Sequence, residues 1–393
     1  MSLRRAVVML MIVFLVASAP LFGEGQGEQQ AEDDGKIHIA LTAPITGNYA
    51  EYGKNFERSV KLAFDEINAN GGELIDLTED DSGGVLGKEL VLHVGDSKGD
   101  PKEATNLAEK FTSNPRIVAE IGGFTSTCCM AAQPVYDRAG MVQLSPTSSH
   151  TNFAPGSEWS FGIVGTQAVE QRFMGEWTHE QLNFDDMAIL HINNDWGMNT
   201  AEYFQKYFEE EGGDVVGVEK YFEGEEEFTS VLSKLREQDP DALYVAAMYN
   251  DGARIARQVE KLGWDVELAG PSSLYSQKLL EIGGDAVNGM YTNVSFFTED
   301  PDPRVQRYVS EFEDRYGLKP NFHAALAYDA AYLLAQAIKE AGTTDRAAIR
   351  DALADTEDFP ALTGNITFSE HGDAVKSYKK VKVESGSFTL LEE

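Results

Sequence analysis

Two cysteines in 393 residues, adjacent at Cys128 and Cys129, leave no basis for a disulfide framework. Neighbouring Cα atoms sit about 3.8 Å apart across a trans peptide, below the roughly 4.4–6.8 Å of a disulfide. The pair therefore reads as two small hydrophobes on a buried helical turn. Cationic side chains are also scarce, with 32 Lys and Arg against 65 Asp and Glu and a formal net charge of −33. Nucleic acid and anionic lipid both demand clustered Lys and Arg, so neither is expected as a partner. Catalytic signatures are missing as well. No G-x-G-x-x-G opens a βαβ unit, no G-x-S-x-G elbow or H-E-x-x-H pair occurs, and the histidines are scattered. The expectation is a protein that is not an enzyme and carries no cofactor and no metal.

Long apolar runs are absent after the N-terminal segment, so no later stretch reads as a membrane span. The N-terminus itself is different. Arg4 and Arg5 lead into an apolar run from Ala6 to Leu15 that continues through Val16-Ala17-Ser18-Ala19, the layout of a secretory signal peptide. We expect residues 1–23 to be removed on export to the periplasm, with no cysteine at the junction to take a lipid. Residues 24–35 are Gly, Gln, Glu and Asp with little to bury, and read as a disordered tether.

The remaining length exceeds one ordinary hydrophobic core and divides naturally in two. From Ile37-His38-Ile39-Ala40-Leu41 onward, short β-rich runs alternate with amphipathic helical runs. One set runs to Met141-Val142-Gln143-Leu144, and a second begins with a helix over 166–183 and the strand Met187 to Ile192. Such alternation calls for parallel sheets with helices on both faces. The stretch from Pro303 to Ala354 is mainly helical and must cover a sheet that already exists, so the chain is expected to return to the first lobe before strand-like runs at Asn365 to Phe368 and Tyr378 to Val383.

Four stretches carry a resemblance to a known family: Pro44-Ile45-Thr46-Gly47 with Tyr52-Gly53, the turn Gly83 to Leu90, Ile121 to Ser126, and Leu144 to Ser149. Together with the element order they resemble the branched-chain amino-acid-binding (Leu/Ile/Val-binding-like) periplasmic proteins of ABC importers, with the type I periplasmic binding fold. The resemblance implies an α/β architecture of two doubly wound parallel-sheet lobes joined by three crossovers, placed here near Gly165, Val294 and Leu362. The lobes would be 36–165 plus 295–362 and 166–294 plus 363–393. It further implies a monomeric binding protein that closes on a small carboxylate, an amino acid foremost, and delivers it to a membrane permease. An acidic insertion, Glu73 to Ser82, departs from the family pattern and is expected to lengthen a surface loop.

In a parallel α/β sheet, ligands sit beyond the carboxyl ends of strands, where helix N-termini present unpaired N–H groups. Thr125 and Ser126 occupy such a place, and either could instead be a simple N-cap. Ser145-Pro146-Thr147-Ser148-Ser149 follows the next strand, and by resemblance Thr147 and Ser149 grip the carboxylate, with Ser148 beside them. Tyr52 and Trp196 match aromatics that cover a ligand from the two lobes, and Met248 or Tyr249 matches a further one. The family's ammonium-anchoring acid follows a Gly-Pro, yet Gly270-Pro271 is followed here by Ser272 and Ser273. Asp195 and Asp251 are the alternative sources of negative charge, and His150 lies next to the same loop. An uncharged amide or an aromatic acid stays open as ligand, as does delivery to a receptor instead of a transporter.

Overall fold

A computed structural model describes residues 34–78 and 83–391. The expected leader and nearly all of the tether lie outside the described residues, as does 79–82 of the acidic insertion. The chain opens with β1 (Lys36–Ala43), buried from Ile37 to its end. A strand covered on both faces needs no polar alternation, which is why it reads as a continuous apolar run. The helix α1 (Ala50–Asn70) buries Phe56, Val60, Ala63, Phe64 and Ile67 on one stripe and stops at Gly71, whose φ of 87° lets its N–H return to the Ile67 carbonyl. Next come β2 (Glu89–Asp96), α2 (Pro101–Thr112), β3 (Ile117–Gly122), α3 (Ser126–Ala139), β4 (Val142–Ser145) and β5 (Ser160–Gly162). These strands form one parallel sheet in the order β2-β1-β3-β4-β5.

The second set is α4 (Gln167–Glu180), β6 (Asp186–Ile192), α5 (Asp195–Glu210), β7 (Asp214–Tyr221), α6 (Thr229–Arg236), β8 (Ala242–Ala246), α7 (Tyr249–Lys261), β9 (Glu267–Ala269), α8 (Gln277–Gly283) and β10 (Tyr291–Val294). The chain then turns helical with α9 (Pro303–Tyr316), α10 (Phe322–Ala341) and α11 (Arg346–Ala354), and ends with β11 (Lys379–Glu384) and β12 (Ser387–Leu390). The second sheet runs β12-β11-β10-β9-β8-β6-β7. The helix α10 is buried over nearly its whole length and packs on α1, which returns this part of the chain to the first lobe.

Three particulars differ from the expectation. The second sheet is not wholly parallel, because β11 runs antiparallel to β10 and forms a hairpin with β12. Residues 365–368 form no strand; Ile366 and Phe368 make only isolated bridges. Asp373 makes an isolated parallel bridge to Gly162 at the end of the first sheet. The acidic insertion is also more than a surface loop. Its Leu74 and Leu77 are buried, and the Glu73 N–H donates to the Tyr332 hydroxyl at 2.8 Å, so its first half is fastened to α10.

Candidate functional site

The first wall of the site is built at the carboxyl ends of β3 and β4. Gly122 closes β3 with φ 141°, and a Cβ there would stand 2.3 Å from the Thr42 carbonyl oxygen, so only glycine lets the chain turn this close to β1. Thr125 then caps α3, its hydroxyl accepting the Cys128 N–H at 3.2 Å. The first-turn amides of α3 have no partners within the helix and favour negative charge. Beyond β4, the Ser145 hydroxyl accepts the N–H groups of Thr147 at 3.3 Å and Ser148 at 2.9 Å, folding the loop into a tight turn. Thr147 donates its hydroxyl to the Phe124 carbonyl at 2.8 Å, and the Ser126 hydroxyl accepts the His150 N–H at 3.3 Å. The two strand-end loops are thus stitched together by their own side chains. Two hydroxyls are left over: that of Ser148 is buried without a partner, and that of Ser149 has no hydrogen-bond partner among the described residues and borders a buried cavity.

That cavity, about 30 Å³, lies where the two lobes meet. Thr125, Thr147 and Ser149 border it from the first lobe, and Trp196, Met248 and Ser272 from the second. Trp196 is in the first turn of α5, which Asn194 caps through the Gly197 N–H at 2.8 Å. Met248 precedes α7 at its N-cap, and Ser272 follows β9. All six were singled out from sequence. The other four stand elsewhere. Tyr52 joins the lobes: its hydroxyl donates to the Ser273 carbonyl at 3.0 Å and accepts the Tyr249 N–H at 3.2 Å, while its ring stacks on Phe124 at 4.6 Å. Tyr249 packs against that ring, Ser126 is spent on His150, and Ser148 is buried within its turn. The N-cap of α3 is Thr125, one residue before the Ser126 considered for that role.

Sequence reasoning missed Glu170, His323, Ser273, Phe124, Val164 and Phe322, which complete the cavity lining. Glu170 is the consequential one. It stands in the first turn of α4, where an acid reads as ordinary helix-dipole complementarity. The fold instead buries it, and its carboxylate accepts the Ser272 N–H at 2.8 Å and the Gln171 Nε2–H at 3.3 Å. Burial pushes its pKa upward, an effect opposed by the hydrogen bonds from Ser272. A carboxyl group therefore borders the cavity from α4, beside the loop that follows Gly270-Pro271. Asp195 and Asp251 do not border the cavity; Asp251 accepts the Tyr221 hydroxyl at 3.2 Å near Glu223 and Arg254. His150 is not in the lining either. His323, at the start of α10, is buried without a partner for its Nδ1, and burial lowers its pKa to about 3, which keeps the ring neutral.

The adjacent cysteines are buried and unbonded, and burial pushes the Cys128 thiol up to about 11, which makes it a poor nucleophile. No group of His, Cys, Asp and Glu among the described residues is placed to hold a metal ion. A larger cavity of about 760 Å³ opens along the same seam between α1 and α8, lined by charges of both signs, and contains none of the residues read from sequence.

Comparison with known proteins covers both lobes. Residues 36–387 match the model of the periplasmic binding protein family. A Leu/Ile/Val-binding protein homolog of Brucella abortus (strain 2308) is 26% identical over 357 residues, spanning 89% of this chain and 91% of that protein. The leucine-, isoleucine-, valine-, threonine- and alanine-binding protein of Pseudomonas aeruginosa is 26% identical over 338 residues, spanning 86% and 87%. The crystal structure of a leucine-binding protein from Thermotoga maritima MSB8 superposes with a TM-score of 0.82 at 25% identity, covering 91% of this chain and 98% of that one. The family match over residues 36–387, spanning nearly all of both sheets around the cavity, places the chain in the periplasmic binding protein family, whose members bind solutes and are not enzymes.

Proposed function

We propose that the chain is the extracytoplasmic solute-binding component of an ABC importer, holding a small carboxylate-bearing solute, an amino acid foremost, in the cavity between its lobes. The observation that carries this reading is the first wall: the N-terminus of α3, capped by Thr125, faces the same buried space as the unpaired hydroxyl of Ser149. Such an arrangement suits a carboxylate, since an oxyanion takes hydroxyl and main-chain donors together with the helix field. The rings of Phe124, Phe322 and Trp196 supply rigid apolar surface for the solute's body. Because both lobes contribute lining, binding is expected to favour the closed form, which the transporter then selects.

The test is a thermal-shift screen of amino acids, amides and aromatic acids, followed by calorimetry on the strongest stabiliser. Replacing both hydroxyls, Thr125→Ala with Ser149→Ala, is expected to weaken binding at least tenfold, or about 1.4 kcal/mol. Undiminished affinity in that double variant refutes the reading. Solution scattering of the wild type with and without saturating ligand tests closure, and superimposable profiles would count against it.

A further inference from the structure

Granting that the cavity takes a small carboxylate, we propose that Glu170 is the group that reads the solute's second end, so that the site selects an α-amino acid over a carboxylate of the same shape without an ammonium. Four observations lead there. The helix α4 is docked directly to the first wall, since the Gln167 N–H donates to the Ser149 carbonyl at 2.8 Å, and Glu170 stands one turn further on in the same cavity lining. Gln167 also donates its Nε2–H to the Trp196 carbonyl at 2.7 Å, which fixes the rotation of α4 against α5. Glu170 is therefore positioned by backbone contacts to both lobes, not by a flexible loop.

The carboxylate is incompletely satisfied. A carboxylate offers about four acceptor positions, and the described chain fills two of them, from Ser272 and Gln171. The Asn293 amide and the Ser272 hydroxyl lie beside it and oppose the rise in its pKa, while the Asn293 amide itself has no hydrogen-bond partner among the described residues. No cationic side chain among the described residues forms an ion pair with the carboxylate, whose charge raises the pKa of the buried Tyr244 and Tyr378 phenols further. His323, on the same cavity, is kept neutral by burial and supplies no counter-charge. A buried carboxylate lacking a cation is costly to the folded protein and is found where a ligand brings the missing charge.

The two walls consequently have opposite polarity. Helix amides and hydroxyls face the cavity from the first lobe, and a carboxylate faces it from α4. A zwitterion satisfies both at once. A benzoate-like acid satisfies only the first and leaves Glu170 to share a dry space with a second anion.

The experiment is calorimetry on wild type, Glu170→Gln and Glu170→Asp with two matched pairs of probes: L-leucine with 4-methylpentanoate, and L-alanine with propanoate. Wild type is expected to prefer the amino acid of at least one pair by about a hundredfold. Glu170→Gln should bring that amino acid down to the level of its des-amino partner while leaving the partner within about threefold, and Glu170→Asp, which withdraws the carboxylate by one methylene, should fall between. Equal loss of both probes in Glu170→Gln, or no loss of the amino acid, overturns the assignment. The parent reading fails separately: the Thr125→Ala, Ser149→Ala protein would then bind both members of a pair as well as wild type does, or wild type would bind neither. Thermal melting guards against misfolding, with Glu170→Gln expected to melt no lower than wild type because it removes an unpaired buried charge.

Discussion

The two walls of the cavity are made in opposite ways. The first is a closed local circuit in which Ser145, Thr147 and Ser126 bond to backbone atoms of their own and the adjacent loop, all within the first lobe. The second is assembled from single residues on separate elements, Glu170 on α4, Trp196 on α5, Met248 before α7 and Ser272 after β9. A wall held by its own hydrogen bonds presents the same donors whatever occupies the cavity. A wall of independent side chains can change one member without disturbing the others. On the proposed reading the lesson is a division of labour: the carboxylate grip is preformed, and selectivity is set residue by residue on the other side.

The largest effect that sharpens this contrast concerns Glu120, buried in β3 beneath the first wall. Burial raises its pKa from 4.5 to about 8, and neither of its carboxylate oxygens has a hydrogen-bond partner among the described residues. The unfolded chain ionises first as pH rises, so folded stability falls between about pH 4.5 and pH 8 and the full penalty is present above that window. Glu120→Gln should thus be more stable than wild type by several kcal/mol at pH 9 and lose that advantage towards pH 4.5, as read by urea denaturation at each pH. His323 has the opposite sign: its lowered pKa means stability is complete above about pH 6.5 and is lost as pH falls towards 3.

Next in size is Gly122→Ala, which drives a Cβ against the Thr42 carbonyl and should cost about 3 kcal/mol and abolish ligand-induced thermal stabilisation, because the whole circuit shifts. Trp196→Ala should weaken binding by about 2 kcal/mol with little change in melting of the unliganded protein; an equal fall in stability would show that the second wall is not a set of independent parts. The smallest effect is Tyr52→Phe, which removes one hydroxyl from the seam and should lower affinity by about 1 kcal/mol without altering which solute is preferred.

The parallel sheets were legible because their strands are short apolar runs bounded by helices of clear period, as in β1 with α1. The antiparallel β11 and β12 were less so, since Lys379 to Glu384 alternates charge with valine and could sit on either lobe. Helix α8 went unread because its seven residues end in Gly283 and offer no long stripe. At the cavity, Thr125 was legible because a hydroxyl between a strand end and a helix forms a local pattern, whereas Thr147 and Ser149 were named by family resemblance. Glu170 was not, because its partner Ser272 lies 102 residues away and nothing near Glu170 in the sequence distinguishes it from a surface acid. His323 was hidden for the same reason: only the packing of α10 makes a histidine in an alanine-rich helix part of a cavity.

The seam between the lobes includes several neutral hydrogen bonds: Tyr52 to Ser273 and Tyr249, Thr151 to Asn199, and Asn250 to Asn48. When the halves part, water offers every one of these atoms an equivalent partner, so each contact contributes only about 0.5–1.5 kcal/mol net. Such a fastening is easily undone, and under the proposed delivery of a solute to a transporter that weakness would matter as much as the grip.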